Sequence, residues 1–160
     1  MIKTGDTLPA LKLTVAGAEG PKEIASGDLF APGKTVVLFA VPGAFTPTCS
    51  ARHMPGYVEN LEALAAKGVD TVACLAVNDV FVMSAWAKDQ GVDGRIVMIA
   101  DGASAFTKAL GLELDLTARG LGLRSQRYAM IVRDGRVAHL AVEAPGGFDV
   151  SRAESVLAAL

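Results

Sequence analysis

The sequence predicts an α/β fold with a mixed β-sheet flanked by helices, and three observations carry that expectation. Thr35–Val41 (TVVLFAV) and residues 71–77 (TVACLAV) are near-continuous apolar runs of strand length, the pattern of strands covered on both faces. The segment after the first run, SARHMPGYVENLEALAAKG, spaces Met54, Val58, Leu61 and Leu64 or Ala65 at helical intervals, with Gly68 as a stop. Strand, helix, strand implies a parallel crossover. Residues 128–132 and 137–142 flank Arg133-Asp134-Gly135-Arg136, whose Asp-Gly centre marks an antiparallel hairpin at the sheet edge.

The remaining elements follow the same logic. Residues 96–100 form a shorter third strand of the central set. Residues 80–90 place Phe81, Val82, Ala85 and Trp86 on one helical face that ends at Gly91, and residues 103–110 repeat the helical signal before Gly111, so both read as covering helices. Residues 151–160 carry Val156, Leu157 and Leu160 behind a Ser cap, which predicts a last helix packed back on the sheet. A length of 160 residues fits one domain over 1–160, and no linker or repeat divides it.

Composition excludes several function classes. At 51% hydrophobic residues the chain has the material for a core, so disorder is excluded as the main state. Seventeen acidic against 15 basic residues, with no long run of either sign, argue against nucleic acid or an anionic membrane as partner. The longest apolar run, residues 36–41, is broken at once by Pro42 and Gly43, far short of the roughly 20 residues that span a bilayer. No stretch near the N-terminus has signal-peptide character. Two cysteines, Cys49 and Cys74, are too few to staple a secreted scaffold, which points to a reducing, cytoplasmic compartment. There is no Walker loop, Gly120-Leu-Gly122 lacks the third glycine of a dinucleotide fingerprint, and Gly102-Ala-Ser104-Ala-Phe106 lacks the last glycine of a nucleophile elbow. The two histidines, His53 and His139, form no ligand-spaced cluster with the cysteines, so no metal is expected.

What remains is VPGAFTPTCS (residues 41–50), a turn-rich loop between a buried strand and the following helix. In open α/β sheets, pockets form outside the carboxyl ends of the strands, and this loop delivers Cys49 there at a helix start. A helix N-terminus favours the thiolate through unpaired N–H groups and the macrodipole. Lowering a cysteine's pKa from about 8.5 to about 6 multiplies its thiolate at pH 7 only about 30-fold. Enzymatic accelerations begin near 10⁶-fold, so other groups must orient the electrophile and stabilise developing charge. Thr46, three residues before Cys49, and a cation are the missing parts. His53, four residues after Cys49 on the same helix face, is a base, an organiser of hydrogen bonds or a cap neighbour; an existing thiolate needs no base, which favours the organiser. Cys74, inside an apolar strand, reads as a core residue.

The segment Pro42-Gly-Ala-Phe-Thr46-Pro-Thr-Cys49 resembles the P-x-x-x-T-x-x-C active-site motif of peroxiredoxins. VLFAVPGAFTPTCSARHMPGY, VACLAVNDVFVMSAWAK and LRSQRYAMIVRDGRV extend the resemblance to the type-II, peroxiredoxin-five-like subfamily, from Gly5 to about Glu143. It implies a thioredoxin-like fold with an N-terminal extension, no cofactor, and a thiol peroxidase acting on hydrogen peroxide and alkyl hydroperoxides. It further implies glutathione with glutaredoxin, or thioredoxin, as reductant, and a homodimer. Carried over by residue, Cys49 is the peroxidatic nucleophile, Thr46 its hydroxyl partner, Pro42 the shield of the pocket and Arg127 the cation; His53 is supporting. The backbone amides of Thr48 and Cys49 add donors for the peroxide. Arg124 is either a support for Arg127 or a solvated surface residue.

Some family members resolve the sulfenic acid with a cysteine near the C-terminus, but PGGFDVSRAESV contains none; others carry a second cysteine where Cys74 stands. Cys74 lies three or four residues before its strand end, roughly 10–13 Å at about 3.3 Å per residue, whereas a disulfide needs Cα atoms within about 7 Å. An external thiol is therefore the expected resolver, with Cys74 the alternative after local unwinding. The same cysteine could serve a peroxide sensor or redox relay that passes oxidation to a partner protein. A Cys-His hydrolase lacks an orienting third group.

Overall fold

The computed structural model describes residues 1–17 and 19–160. The two apolar runs form β3 (Thr35–Val41) and β4 (Thr71–Ala76), and the third strand is β5 (Val97–Ala100). These three are parallel neighbours: β3 pairs with β4, and β4 with β5. The Asp-Gly hairpin is β8 (Tyr128–Arg133) and β9 (Arg136–Val142), antiparallel to each other, with β8 antiparallel to β3. Asp134 and Gly135 have φ of 54° and 72°, the two consecutive left-handed residues of a type I′ turn.

The N-terminal extension forms a second hairpin, β1 (Lys12–Gly17) with β2 (Gly20–Ala25), antiparallel to β5 through β1. The sheet order is β2-β1-β5-β4-β3-β8-β9, so both flanks of the parallel centre are antiparallel, not one alone. Its edge strand β2 carries only exposed or half-buried residues, which explains its weak apolar signal. A separate two-stranded ladder, β6 (Glu113–Leu116) and β7 (Gly122–Ser125), leads into the loop before β8; the sequence reading assigned it no strands.

Helices cover both faces. Along β3, Val37, Phe39 and Val41 pack into one core with Met54, Tyr57, Leu64, Met83 and Trp86, while Val36, Leu38 and Ala40 pack into another with Phe106, Leu110 and Met130. This period-two division is why the run is apolar at every position. The crossover is not the single helix that its spacing predicts. Pro47 and Thr48 are already helical, Cys49–His53 is a π-helical turn, and α2 (Met54–Glu59) and α3 (Leu61–Ala66) are separated at Asn60. A short α1 (Ser26–Leu29) follows β2.

Helix α4 (Val80–Asp89) is capped by Asp79, whose Oδ1 accepts from the Val82 amide at 2.8 Å. It buries Met83, Trp86 and Ala87, whereas Phe81 is 74% exposed and Ala85 also faces solvent; the predicted face was turned by one residue. Helices α5 (Ala105–Leu110) and α6 (Ala153–Ala159) occupy the expected places. Ser151 does not cap α6; its side chain is buried and bonds Glu143 instead.

Candidate active site

Because β8 runs antiparallel to β3, it begins at the edge where the parallel strands end, with Ala40 opposite Tyr128. Strand β9 ends there too, with Val142 opposite Tyr128. One edge thus gathers the loop after β3, Asn78 after β4, Arg127 before β8 and Glu143 after β9. The placement of pockets at the carboxyl ends of parallel strands is obeyed, and Glu143 follows it too because β9 runs in the same sense as β3, but the cation comes from the start of the antiparallel β8.

Cys49 is fully buried in the first turn after the loop. Thr46 Oγ1 lies 2.8 Å from its sulfur and 2.6 Å from the Gly43 carbonyl. A hydroxyl has one proton. It donates to Gly43 when the sulfur carries its own proton and donates in turn to Oγ1, and it is free to turn to the sulfur when that proton is lost. Arg127 Nη2 donates to the same sulfur at 3.1 Å. Two side chains thus converge on the buried sulfur.

Arg127 is itself held by His53, whose Nδ1 accepts from Nη1 at 2.8 Å. His53 Nε2 donates to the Ser151 carbonyl at 3.1 Å. An arginine only donates and a carbonyl only accepts, so the imidazole is neutral with its proton on Nε2. Burial, reinforced by the Arg127 charge, drives its pKa from 6.5 down to about 3. The ring lies in an aromatic setting, 5.0 Å from Phe39, 5.6 Å from Tyr57 and edge-on to Phe148 at 5.1 Å. The Tyr57 hydroxyl donates to the same Ser151 carbonyl at 2.7 Å.

The loop is fixed by residues that the motif does not contain. Arg124 Nη1 donates to the Pro42 carbonyl at 3.4 Å and Nε to the Leu121 carbonyl at 2.8 Å, so it buttresses the loop and does not reach the sulfur. A Cβ at Gly43 would lie 2.9 Å from Arg124 Nη1 and 3.0 Å from Thr46 Cγ2, so a larger residue there would push these side chains aside. The Ala44 amide donates to Asn78 Oδ1 at 2.9 Å, tying the loop to the end of β4. Trp86 Nε1 donates to Ser50 Oγ at 3.0 Å, beside Cys49. Of these, Arg124 was visible in the sequence only as an undecided neighbour of Arg127; Asn78 follows a strand end, the one available signal, and Ser50 and Trp86 gave none.

A cavity of about 200 Å³ opens on this edge, lined by Pro42, Thr48, Leu114, Gln126, Arg127 and residues 143–147. The residue whose guanidinium donates to the sulfur thus also lines the cavity. Among the described residues no three His, Cys, Asp or Glu side chains converge as a metal site. Cys74 lies on the same face of the sheet as Cys49, in register with Phe39 and Met98. It is buried and free, and burial, then the Cys49 charge, raises its thiol pKa well above the ordinary value.

Residues 3–157 match the Redoxin family. Peroxiredoxin-2C of Oryza sativa is 47% identical over 99% of this chain and 98% of its own. The chain is a peroxiredoxin of the type-II group. Solved peroxiredoxin structures share its fold. Reduced Prx3 of Vibrio vulnificus in complex with hydrogen peroxide is 55% identical, covers 99% of each chain and superposes with a TM-score of 0.94. Peroxiredoxin 5 of Alvinella pompejana is 34% identical, covers 99% of this chain and 97% of its own, and has a TM-score of 0.87. The peroxiredoxin fold here is thioredoxin-like, and the chain is a thiol peroxidase, an oxidoreductase that reduces peroxide and is itself reduced by thiols. No described helix is long and apolar enough to cross a membrane.

The buried neutral histidine has a consequence for stability. Its folded pKa is below the unfolded value, so as pH falls from about 6.5 toward about 3 the unfolded chain takes up a proton that the folded chain refuses. The contribution is fully present above about pH 6.5 and is lost below it, by roughly 1 kcal/mol per pH unit. Urea unfolding at about pH 7 and about pH 4.5 should show wild type losing more stability than His53→Asn; equal losses would mean that His53 titrates normally in the folded protein.

Proposed function

We propose that Cys49 is the residue that reduces the peroxide. The observation that carries this reading is the convergence of Thr46 Oγ1 and Arg127 Nη2 on its sulfur, at 2.8 and 3.1 Å. The thiolate attacks one peroxide oxygen, the O–O bond breaks, and the departing alkoxide or hydroxide leaves as alcohol or water on taking a proton. Cys49 is left as a sulfenic acid. Arg127 offers donors to the polarising peroxide in the same fork that holds the sulfur. Thr46 accepts from the peroxide while donating to sulfur, and the Thr48 and Cys49 amides add donors. Pro42, at the cavity wall, keeps water from the sulfur. His53 orients Arg127, as its two hydrogen bonds support.

We further propose single-cysteine catalysis. An external thiol, glutathione with glutaredoxin or else thioredoxin, attacks the sulfenic sulfur, forms a mixed disulfide and releases water; a second thiol then frees Cys49. The protonated state that burial imposes on Cys74 supports this, since the thiolate is the attacking form. Two free cysteines support a reducing, cytoplasmic setting. Exposed Phe45 and Leu121, on loops that Arg124 ties together through Pro42 and Leu121, supply apolar surface for a homodimer.

Cys49→Ser should abolish peroxide turnover in a folded protein, measured by stopped-flow consumption of hydrogen peroxide; retained turnover would exclude Cys49. Arg127→Lys keeps the charge and loses the fork, and should slow the second-order reaction at least about tenfold, or 1.4 kcal/mol. An unchanged rate would place the working cation elsewhere. With glutathione and glutaredoxin supplied, Cys74→Ser should turn over at near wild-type rate, and mass spectrometry should find glutathione on Cys49. A variant that stalls after one peroxide would show that Cys74 resolves the sulfenic acid.

A further inference from the structure

Glu143 belongs to no motif, yet it grips the site from two sides. Its backbone amide donates to the Arg127 carbonyl at 2.9 Å, closing the ladder beside the cation. Its side-chain Oε2 accepts from the Ser151 amide at 2.9 Å, the Ser151 hydroxyl at 2.6 Å and the Asp149 amide at 2.7 Å. Residues 144–150 are thereby closed into a loop whose end, Ser151, is fully buried. The carbonyl of that serine then meets His53 Nε2 and the Tyr57 hydroxyl.

A carbonyl held at Nε2 selects one of the two neutral forms of the ring. With the proton on Nε2, Nδ1 presents a lone pair to Arg127; with the proton on Nδ1, two donors would face each other and Arg127 would lose its anchor. Outer partners that fix the tautomer of a working histidine act in this way at metal sites. We propose that Glu143 is a positioning residue for peroxide reduction: by pinning Ser151 it sets the His53 tautomer, and through it the guanidinium that donates to Cys49. Burial raises the Glu143 carboxyl, but its bonds from Ser151 and Asp149 prevail and hold it below the ordinary value, so the clasp is ionised at neutral pH. The inference rests on the roles given above to Cys49 and Arg127.

The test is a double-mutant cycle on the second-order rate with hydrogen peroxide, using the full chain. Glu143→Ala should lower the rate about tenfold when His53 is present and less than about twofold in a His53→Ala background, where the path is already broken. Glu143→Gln keeps an accepting oxygen and the fold, and should lose about threefold with His53 present and nothing without it. Equal losses in both backgrounds would overturn the proposal, because Glu143 would then act on the fold or on the peroxide independently of His53. Nitrogen NMR of the two histidines, with His139→Gln for assignment, should show His53 wholly as the Nε2–H form in wild type and as a mixture in Glu143→Gln. A tautomer unchanged in that variant would equally overturn it. If Arg127→Lys slows the reaction and Glu143→Gln does not, Arg127 keeps its role and Glu143 loses its own; if Arg127→Lys reacts at full rate, the assignment of Arg127 itself fails.

Discussion

The guanidinium of Arg127 is the point on which this site turns. A cation half-withdrawn from water costs several kcal/mol unless its donors are satisfied, and here one nitrogen is satisfied by an imidazole and another by the sulfur of Cys49. A histidine carrying a charge of its own could not fill that place. Burial and the adjacent cation together keep the ring neutral, so the two basic residues are not competitors: one is the acceptor that lets the other remain a donor. The aromatic rings of Phe39, Tyr57 and Phe148 around His53 supply the dry surroundings that this division requires.

Topology explains how residues so distant in sequence reach one sulfur. Parallel strands deliver only their following loops to the carboxyl edge, which accounts for Cys49 and Asn78. Inserting β8 in the antiparallel sense against β3 brings the start of a strand to the same edge, and with it Arg127; turning back through β9 brings Glu143 to lie directly across from it. A wholly parallel sheet would have placed Arg127 at the opposite end, whereas Glu143 follows a strand that runs in the same sense as β3. The mixed sheet thus sets strand ends of both senses around one cysteine.

The central strands and the Asp-Gly hairpin were legible because each rests on a local rule: a strand buried on two faces is apolar throughout, and a type I′ turn needs two left-handed residues. The loop bearing Cys49 was legible because its turn chemistry and the motif coincide in eight residues, Pro42 to Cys49. The first hairpin was not, since β2 at the sheet edge is largely solvated and reads as GPKEIA. Phe81 misled because an exposed aromatic at helical spacing looks the same as a buried one until the neighbours are known. Glu143 and Ser151 could not be found at all. Their contacts with each other and with His53 depend on a loop closing back over a helix that lies some ninety residues earlier in the chain, and nothing in their local sequence encodes that meeting.

The bond between Trp86 and Ser50 gives the molecule an internal gauge. The chain has a single tryptophan, fully buried, and its indole N–H ends on the residue next to Cys49. Indole emission depends on polarity and on hydrogen bonding at that nitrogen. Any loosening of the turn bearing Cys49 would take this partner from the indole. The colour of the protein's own fluorescence would thus report the conformation of the turn that bears Cys49, with no label added and no other indole to obscure it.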